Sequence, residues 1–277
     1  MWLPGRLLGM RIARFAAAGK DPAYGIIQLA VDGGENPDTI AVLNNDPLSG
    51  TTINYTGERH HLEEVRLLAP VIPRSKIVAV GRNFAAHAAE MGGEVPVDAP
   101  MVFFKPNTSV IGPNEAIVIP DGCETVSYEG ELAIVIGRIC KEVQVERVAE
   151  VIFGYTIAND VTQRDWQKSD DQWTRAKGSD TFCPLGPWIN THLSIDEASK
   201  LGIQTRVNGA TRQDGNTSQM VRGIAELVSF ISGFTTLLPG DLILTGTPAG
   251  VGNVGDGDIV EIDIDGLGTL SNPVTAA

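Results

Sequence analysis

The sequence is poor in positive charge for its length of 277 residues. It carries 21 Lys and Arg against 34 Asp and Glu, which gives a formal net charge of −13. A protein that binds nucleic acid needs a basic face that neutralises phosphates. The charge balance therefore argues against a nucleic-acid partner.

Cysteine is scarce as well. The sequence has three cysteines, Cys123, Cys140 and Cys183, and no two of them stand at a CxxC spacing. Disulfide frameworks and zinc sites both need paired or clustered cysteines. We therefore predict buried thiols in a reducing cytoplasm.

Long hydrophobic runs are missing. No window approaches the roughly 18 apolar residues of a membrane span, which predicts a soluble, cytoplasmic protein with no membrane partner. Met1–Gly9 has only short apolar pieces around Arg6, too broken for a secretion signal. We interpret residues 1–9 as an N-terminal extension, with translation beginning at either Met1 or Met10.

Apolar residues are nevertheless plentiful, at 43% of the chain, so the protein can bury a large core. Short alternating runs at 11–15, 23–31 and 39–43 predict a small β-rich N-terminal subdomain over residues 10–71. Pro70 and Pro73 mark its boundary, and a larger domain is predicted over residues 76–277.

Strands dominate the larger domain. The predicted strands cover residues 76–80, 102–105, 116–120, 127–137 and 151–158. The hairpin signals Asn208-Gly209 and Asp265-Gly266 each lie between alternating runs.

Helices are few. Ile224, Leu227, Val228 and Ile231 recur at the period of one helical face, and a short helix is predicted near residues 145–150. The predicted fold class is mostly β with few helices.

The stretch 126–137 contains two carboxylates two residues apart, Glu129 and Glu131. On one strand both would leave the same face, beside an apolar run where paired carboxylates are costly without a cation or a shared proton. Asp160, which follows the strand 151–158, is the third acid. Oxygen ligands alone favour Mg²⁺ or Mn²⁺. The alternative is a solvated strand face.

Another candidate pair is His87 and Glu90, three residues apart in an Ala-rich run. On a helix they share a face, so Glu90 can orient the imidazole and the pair can activate water. An exposed helix pair is the alternative. Lys177 and Lys105 are candidates for a cleft, with ordinary surface solvation as the other interpretation.

The polar segment 163–175 carries Trp166 and Trp173 and is interpreted as a lid that folds over substrate. A partner-facing loop is the alternative for this segment.

Two motifs are set aside. Residues 250–255 satisfy GxGxxG, but the following residues 256–264 alternate as a strand, whereas dinucleotide binding requires a helix there. His60 and His61 have no acidic or cysteine partner at a ligand spacing, and we interpret them as part of a loop.

Six separated motifs occur in an order that resembles the fumarylacetoacetate hydrolase family. They are Gly81-Arg-Asn-Phe with His87 and Glu90, Lys105-Pro106, Glu129-x-Glu131, Asn159-Asp160-Val161, Arg175-Ala-Lys-Gly-x-Asp-Thr181, and Thr245-Gly-Thr-Pro-x-Gly250. The resemblance spans residues 76–274.

This resemblance implies a homodimeric mixed β-sandwich roll that holds Mg²⁺ or Mn²⁺ through Glu129, Glu131 and Asp160. It implies a catalytic lysine at Lys177 and a mobile catalytic dyad of His87 and Glu90. Arg82, Lys105 and Thr247 are the implied substrate-binding residues. Residues 10–71 resemble the small subdomain of bacterial members.

The family's chemistry implies metal-dependent C–C bond cleavage in a 2-oxo acid. Residues 173–188 are most similar to soluble oxaloacetate decarboxylases of actinobacteria, which predicts formation of pyruvate and CO₂ through an enolate that the metal stabilises. An acylpyruvate hydrolase, with His87 and Glu90 activating water, and a 2-hydroxyhepta-2,4-diene-1,7-dioate isomerase are the alternatives.

Two alternatives to an active enzyme are a non-enzymatic, metal-dependent binding module and a degenerate family member that keeps only the fold. The acidic charge balance further indicates that an anionic diacid binds after the cation.

Overall fold

The computed structural model describes residues 10–30 and 37–277, so the predicted extension at 1–9 lies outside the described residues. The first ten strands are β1 Arg11–Ala17, β2 Ala23–Gln28, β3 Thr39–Leu43, β4 Tyr55–His61, β5 Val65–Leu68, β6 Ile77–Gly81, β7 Met101–Lys105, β8 Val110–Ile111, β9 Ile117–Ile119 and β10 Val126–Tyr128. The others are β11 Gly130–Ile136, β12 Ile152–Asn159, β13 Thr162–Gln163, β14 Cys183–Asn190, β15 Gly202–Val207, β16 Ala210–Asn216, β17 Leu242–Leu244, β18 Gly252–Val254, β19 Ile259–Ile264 and β20 Gly268–Ala276.

Helices are short and fewer. They are α1 Ala85–Glu90, α2 Arg164–Ser169, α3 Thr174–Gly178, α4 Ile195–Ala198 and α5 Ile224–Phe234. Short 3-10 helices cover Leu62–Glu64, Asn107–Ser109, Val145–Glu150 and Thr217–Gln219. The predicted fold class, mostly β with few helices, is confirmed.

Three sheets are built from the described strands. The largest runs β4-β3-β2-β1-β14-β12-β11-β17-β6-β7, with β5 also paired to β1 and β8 to β14. A second sheet has the order β16-β15-β19-β20-β9, and a small one has the order β13-β10-β18. Parallel pairing occurs at β17·β6, β14·β8 and β20·β9, so the fold is mixed.

The N-terminal strands join the largest sheet rather than standing apart. β1 pairs antiparallel with β14, with Arg11 opposite Asn190 and Ile12 opposite Ile189. The sheet is therefore continuous from β4 to β7, and the boundary predicted between residues 71 and 76 stays a prediction.

The core surrounds β11, whose residues are all buried. Successive β11 side chains alternate between two hydrophobic clusters, with Leu132, Ile134 and Ile136 in one and Ala133 and Val135 in the other, so both faces of the strand are covered and its apolar run needs no polar alternation. On one side, α5 turns its predicted stripe inward, and Ile224, Leu227, Val228 and Ile231 are all buried. This core fixes the end of β11 at which the acids lie.

The predicted strand 127–137 is interrupted. β10 ends at Tyr128 and β11 begins at Gly130, and the two strands belong to different sheets. Glu129 lies at the break, so the single-strand prediction is wrong there. The chain changes sheets because β10 pairs with β13 and β18, whereas β11 pairs with β12 and β17.

Both predicted hairpins form. Val207 pairs with Ala210 around Asn208-Gly209, and both turn residues have positive φ, as a type I′ turn requires. The second hairpin pairs Ile264 with Gly268, so its loop is one residue longer than the Asp265-Gly266 pair.

Several local predictions need correction. His60 and His61 end strand β4 instead of lying in a loop, whereas the short helix predicted near residues 145–150 is present as a 3-10 helix. His60 contacts Glu58 at 3.1 Å, which anchors it on the strand. All three cysteines are free, but only Cys183 is fully buried. No helix within 10–30 and 37–277 is long and apolar enough to span a membrane.

Candidate active site

Three buried carboxylates lie together where β10 and β12 end and where β11 begins. Oxygens of Glu129, Glu131 and Asp160 lie within 4.8 Å of one another. Glu129 lies between β10 and β11, Glu131 is the second residue of β11, and Asp160 follows β12. The structure therefore brings together the three acids that the sequence singled out, and we call them the acidic cluster.

The backbone fixes this meeting point. β11 and β12 pair in register up to Gly130 and Asn159. Beyond that pair the Asp160 N–H donates to the Glu129 carbonyl at 2.8 Å, and the Glu129 N–H donates to Asn159 Oδ1 at 2.9 Å. These bonds hold the two acids side by side at the end of the strand pair.

Buried cations surround two of the acids. Lys177 Nζ lies 2.7 Å from Glu129 Oε2 and 2.7 Å from Asp160 Oδ2. Lys105 Nζ lies 2.6 Å from Asp160 Oδ1, and Arg164 Nη2 lies 2.6 Å from Glu129 Oε1. Both oxygens of each of these acids thus have a cationic donor.

The remaining acid, Glu131, is held differently. Its Oε2 accepts the Gly246 N–H at 2.7 Å, and within the described residues it forms no ion pair. Burial, and next the charges of Asp160 and Glu129, raise the pKa of Glu131 well above its usual range. The site therefore disfavours the ionised form of Glu131 when no cation is bound.

In Glu129 and Lys177, unlike Glu131, the neighbouring charges favour the ionised form. Burial acts to raise the pKa of Glu129, but the charges of Lys177, Arg164 and His87 outweigh it, and the net pKa is lowered. Burial likewise acts to lower the pKa of Lys177, but Asp160 and Glu129 raise it overall. Glu129 is thus ionised and Lys177 is charged at neutral pH.

The acidic cluster fits a divalent cation. Its ligand atoms are all carboxylate oxygens, the set that hard ions such as Mg²⁺ and Mn²⁺ prefer. A cation beside Glu131 would stabilise the ionised form of the one acid of the cluster that forms no ion pair within the described residues. Glu129, Glu131 and Asp160 are therefore the residues that would hold it.

His87 and Glu90 form the predicted pair on α1. His87 is buried, and its Nδ1 lies 3.4 Å from Glu90 Oε2. Glu90 also accepts the Gly250 N–H at 3.0 Å. The charge of His87 also helps to lower the pKa of Glu129, and a direct role of the imidazole at the acidic cluster stays a prediction.

Of the predicted substrate-binding residues, Lys105 and Thr247 are engaged with the protein. The Lys105 ammonium donates to Asp160, to the Val161 carbonyl and to the Lys177 carbonyl. The Thr247 hydroxyl donates to the Gly130 carbonyl at 2.8 Å. These contacts hold the acidic cluster in place, and a direct contact of either residue with substrate stays a prediction.

Arg82, the third predicted substrate-binding residue, directly follows β6. Its φ of 56° places it in the left-handed region, and its guanidinium packs against Gly93 beyond α1. A role in substrate binding stays a prediction for this residue as well.

Sequence reasoning missed Arg164 and Gln213. Arg164 is buried, and besides Glu129 it donates to Ser127 Oγ at 3.1 Å and to Gln167 Oε1 at 2.8 Å. Gln213 donates to Thr247 Oγ1 at 2.7 Å and accepts the Gly130 N–H at 3.0 Å. The available signal for Arg164 was its place four residues after Asp160.

The Trp-bearing segment forms α2 and α3. Trp173 packs edge-on against Phe103, with ring centroids 5.5 Å apart, and Arg175 stacks on Trp166 at 4.6 Å. α3 carries Lys177 into the acidic cluster. The segment borders the site, and its movement as a lid stays a prediction.

Comparison with known proteins agrees with this site. Residues 76–275 match the family described as fumarylacetoacetate (FAA) hydrolase C-terminal, and residues 10–70 match the one described as Rv2993c-like, N-terminal. The chain belongs to the fumarylacetoacetate hydrolase family. The family consists of enzymes that use divalent metals, and this chain is a metal-dependent enzyme of that family.

Two relatives illustrate the range of this family. Protein Rv2993c of Mycobacterium tuberculosis is 51% identical over 268 residues, which are 96% of this chain and 98% of that protein. Oxaloacetate tautomerase fahd2, mitochondrial, of Xenopus laevis is 43% identical over 219 residues, 76% of this chain and 68% of that protein.

Solved structures of the family give the same picture. 5-Carboxymethyl-2-hydroxymuconate delta-isomerase from Mycobacterium smegmatis has a TM-score of 0.86 at 48% identity, over 97% of this chain and 100% of that one. Fumarylpyruvate hydrolase from Pseudomonas aeruginosa, in complex with Mn²⁺ and pyruvate, has a TM-score of 0.70 at 33% identity, over 76% of this chain and 92% of that one.

Proposed function

We propose that this enzyme acts on oxaloacetate or a close 2-oxo dicarboxylate, and that decarboxylation to pyruvate and CO₂ is its main reaction. The observation that carries this proposal is the buried acidic cluster with Lys177 inserted between Glu129 and Asp160. Mg²⁺ and Mn²⁺ are the proposed ions, and a homodimer in the cytoplasm is the proposed setting.

The names of relatives support this substrate class. One relative is named as an oxaloacetate tautomerase, and one solved relative contains Mn²⁺ and pyruvate. The first name supports oxaloacetate as the substrate, and the second, a fumarylpyruvate hydrolase, supports a metal-dependent reaction of a 2-oxo acid.

The charges of the site suit an enolate. When bound, a divalent cation polarises the keto oxygen of a chelating 2-oxo acid. Lys177 places an ammonium beside the oxygen that becomes negative, in a buried site where such a charge acts strongly. The C3–C4 bond then breaks, its electron pair forms the C2–C3 double bond of the enolate, and CO₂ leaves.

His87 is suited to the proton transfer that completes the reaction. Its imidazole is buried, and its Nδ1 lies 3.4 Å from Glu90 Oε2, a contact that can orient the ring for proton transfer. The proton from His87 goes to C3 of the enolate and gives pyruvate. Glu90 thus keeps the imidazole oriented without contacting the substrate.

The same pair favours a second candidate function, keto–enol tautomerisation of oxaloacetate. This reaction only moves a proton between C3 and the C2 oxygen, and a buried His–Glu pair supplies the acid and base for it. A hydrolase of acylpyruvates would use the pair to deprotonate water before the distal carbonyl is attacked.

One assay separates these reactions. Metal-stripped protein receives Mn²⁺ or Mg²⁺, and loss of oxaloacetate, its keto–enol exchange and loss of acetylpyruvate are followed in parallel, with a metal-only blank. We expect metal-dependent pyruvate formation from oxaloacetate and little cleavage of acetylpyruvate. Faster exchange without pyruvate would identify a tautomerase, and preferred cleavage of acetylpyruvate would identify a hydrolase.

Variants test the assigned residues. Glu131→Ala should abolish every metal-dependent reaction, because it removes one of the three proposed metal ligands. Glu150→Ala is the matched control, since Glu150 is 50% exposed and pairs with Arg147 on the surface. His87→Ala should reduce hydrolysis and tautomerisation far more than decarboxylation. Equal losses in all three reactions would contradict this division of roles.

A further inference from the structure

The glycine pattern at 250–255, which fails as a dinucleotide site, has a different role in the structure. The next strands are β18 and β19, so no helix begins there. Gly250 has φ +100°, and a Cβ on it would lie 2.0 Å from the Arg212 carbonyl oxygen. Only glycine fits this position, which puts the Gly250 N–H next to α1.

Gly250 joins two functional elements through its own backbone. Its N–H donates to Glu90 Oε1 at 3.0 Å and to Oε2 at 3.2 Å. Its carbonyl accepts the Tyr128 hydroxyl at 2.8 Å. Tyr128, Gly250, Glu90 and His87 therefore form one continuous series of contacts.

Tyr128 is well placed to act as the fixed end of this series. It is buried, it directly precedes Glu129, and it pairs with Gly252 across β10 and β18. A Cβ on Gly252 would lie 2.9 Å from the Tyr128 hydroxyl. The second glycine of the pattern therefore leaves the space that the phenol occupies.

We propose that Tyr128 is a positioning residue that, through Gly250 and Glu90, fixes the position of α1 and of the His87 imidazole on it. This inference rests on the proposed function, in which His87 transfers a proton. Glu90 is 34% exposed at its side chain, so water competes for its carboxylate. A Gly250 N–H in a fixed place keeps the carboxylate on the His87 side.

Loss of the phenol hydroxyl should act on the chemical step. In Tyr128→Phe the Gly250 carbonyl loses its donor, and the loop that carries the Gly250 N–H can shift. One hydrogen bond corresponds to about a tenfold effect, so we expect kcat for keto–enol exchange of oxaloacetate, the reaction most dependent on His87, to fall roughly tenfold while KM changes less than about twofold. Mn²⁺ affinity should stay unchanged, because the ligands Glu129, Glu131 and Asp160 keep their contacts.

The experiment compares Tyr128→Phe with Tyr155→Phe in the full-length protein loaded with Mn²⁺. Tyr155 is an equally buried phenol on β12 that lines a separate cleft with Phe153 and His192. Amide hydrogen exchange of residues 85–92, kcat, KM and Mn²⁺ binding are measured for each. We expect faster exchange at 85–92 in Tyr128→Phe alone, with exchange in β11 unchanged.

Three outcomes would overturn the inference: unchanged exchange at 85–92, equal effects in Tyr155→Phe, or a parallel fall in Mn²⁺ affinity. In a Glu90→Ala background, Tyr128→Phe should cause no additional loss of kcat, because the series is already broken. Hydrogen exchange needs no substrate. Inactivity of the wild-type protein would therefore count against the proposed function, whereas the exchange result judges the role of Tyr128.

Discussion

Two ion pairs in different regions of this molecule have the same geometry and different meanings. On the surface turn of α4, Lys200 Nζ lies 2.7 Å from Asp196, and the two side chains are 65% and 79% exposed. In the acidic cluster, Lys177 Nζ lies 2.7 Å from Asp160, and both side chains are 2% exposed. Distance therefore does not distinguish them, and burial does.

Burial determines how strongly a charged group interacts with its neighbours, and therefore which charged groups can take part in binding or catalysis. Water screens the exposed pair, which is worth a few tenths of a kcal/mol, about what an i,i+4 helix pair contributes. In the buried site, each charge depends on its protein neighbours for solvation, so removing one group changes the state of the others. Substrate and metal chemistry can use only the second kind of site.

The largest expected effect comes from breaking the buried pair. Asp160→Ala leaves Lys177 and Lys105 buried without this acid, and we expect unfolding free energy to fall by about 3 kcal/mol. Asp196→Ala, the control on α4, should cost less than about 0.5 kcal/mol. Urea unfolding of the metal-free proteins measures both. Similar losses in the two variants would show that burial does not separate these pairs.

A smaller effect is expected from the glycine between two of the acids. A Cβ on Gly130 would lie 2.4 Å from Thr205 Oγ1, so Gly130→Ala overpacks the contact between β11 and β15. We expect a loss of about 1–3 kcal/mol in unfolding free energy, with reduced Mn²⁺ affinity as Glu129 and Glu131 shift.

The partner of this contact offers a rescue. Thr205 Oγ1 is buried with no hydrogen-bond partner in the described part of the chain, so Thr205→Ala alone should cost little. Combined with Gly130→Ala, it should restore more than half of the lost stability and metal affinity. Simple additivity of the two substitutions, measured by urea unfolding and Mn²⁺ titration, would rule out this steric account.

The smallest expected effect concerns Tyr24. This residue is partly buried, between the exposed pair Lys200–Asp196 and the buried pair Lys177–Asp160. Burial, and next the charge of Asp46, raise the pKa of Tyr24 to about 12. The unfolded phenol ionises near its ordinary value of about 10, so stability from this group is complete below pH 10 and is lost between about 10 and 12.

Tyr24→Phe should therefore weaken the alkaline loss of stability. Denaturant unfolding at pH 9 and pH 11 gives this loss for the wild type and the variant. The wild type should lose more, and identical losses would contradict the assigned pKa shift.

Much of the site could be predicted from the residues themselves. Glu129, Glu131 and Asp160 were identifiable because carboxylates beside apolar strands are costly without a cation. The dyad was identifiable because a spacing of three residues on a short Ala-rich helix puts His87 and Glu90 on one face. Both predictions use local chain geometry, which short-range sequence patterns encode well.

The rest depended on long-range contacts. Arg164, which the sequence analysis missed, reaches Glu129 across a separation of 35 residues. Lys105 was a candidate for a cleft, but its contact with Asp160 spans 55 residues, and no local pattern shows that partner. The break of the predicted strand at Glu129 was also hidden, because the alternating pattern is the same whether β10 and β11 share a sheet or not. Only the pairing of β10 and β11 with their neighbouring strands shows that the two belong to different sheets.

The sequence by itself determined the strand-rich fold, the α5 stripe, the hairpin at Asn208-Gly209 and the identity of the three acids. These follow from side-chain periodicity, turn chemistry and the cost of burying charge. Only the tertiary structure decided that Lys177 lies between Glu129 and Asp160, that Glu131 forms no ion pair with any described residue, and that Tyr128 reaches α1 through Gly250 and Glu90. The physical reason is that ion pairs and hydrogen bonds of this kind join residues that are far apart in the sequence. The packing of the whole sheet determines which of these residues come into contact.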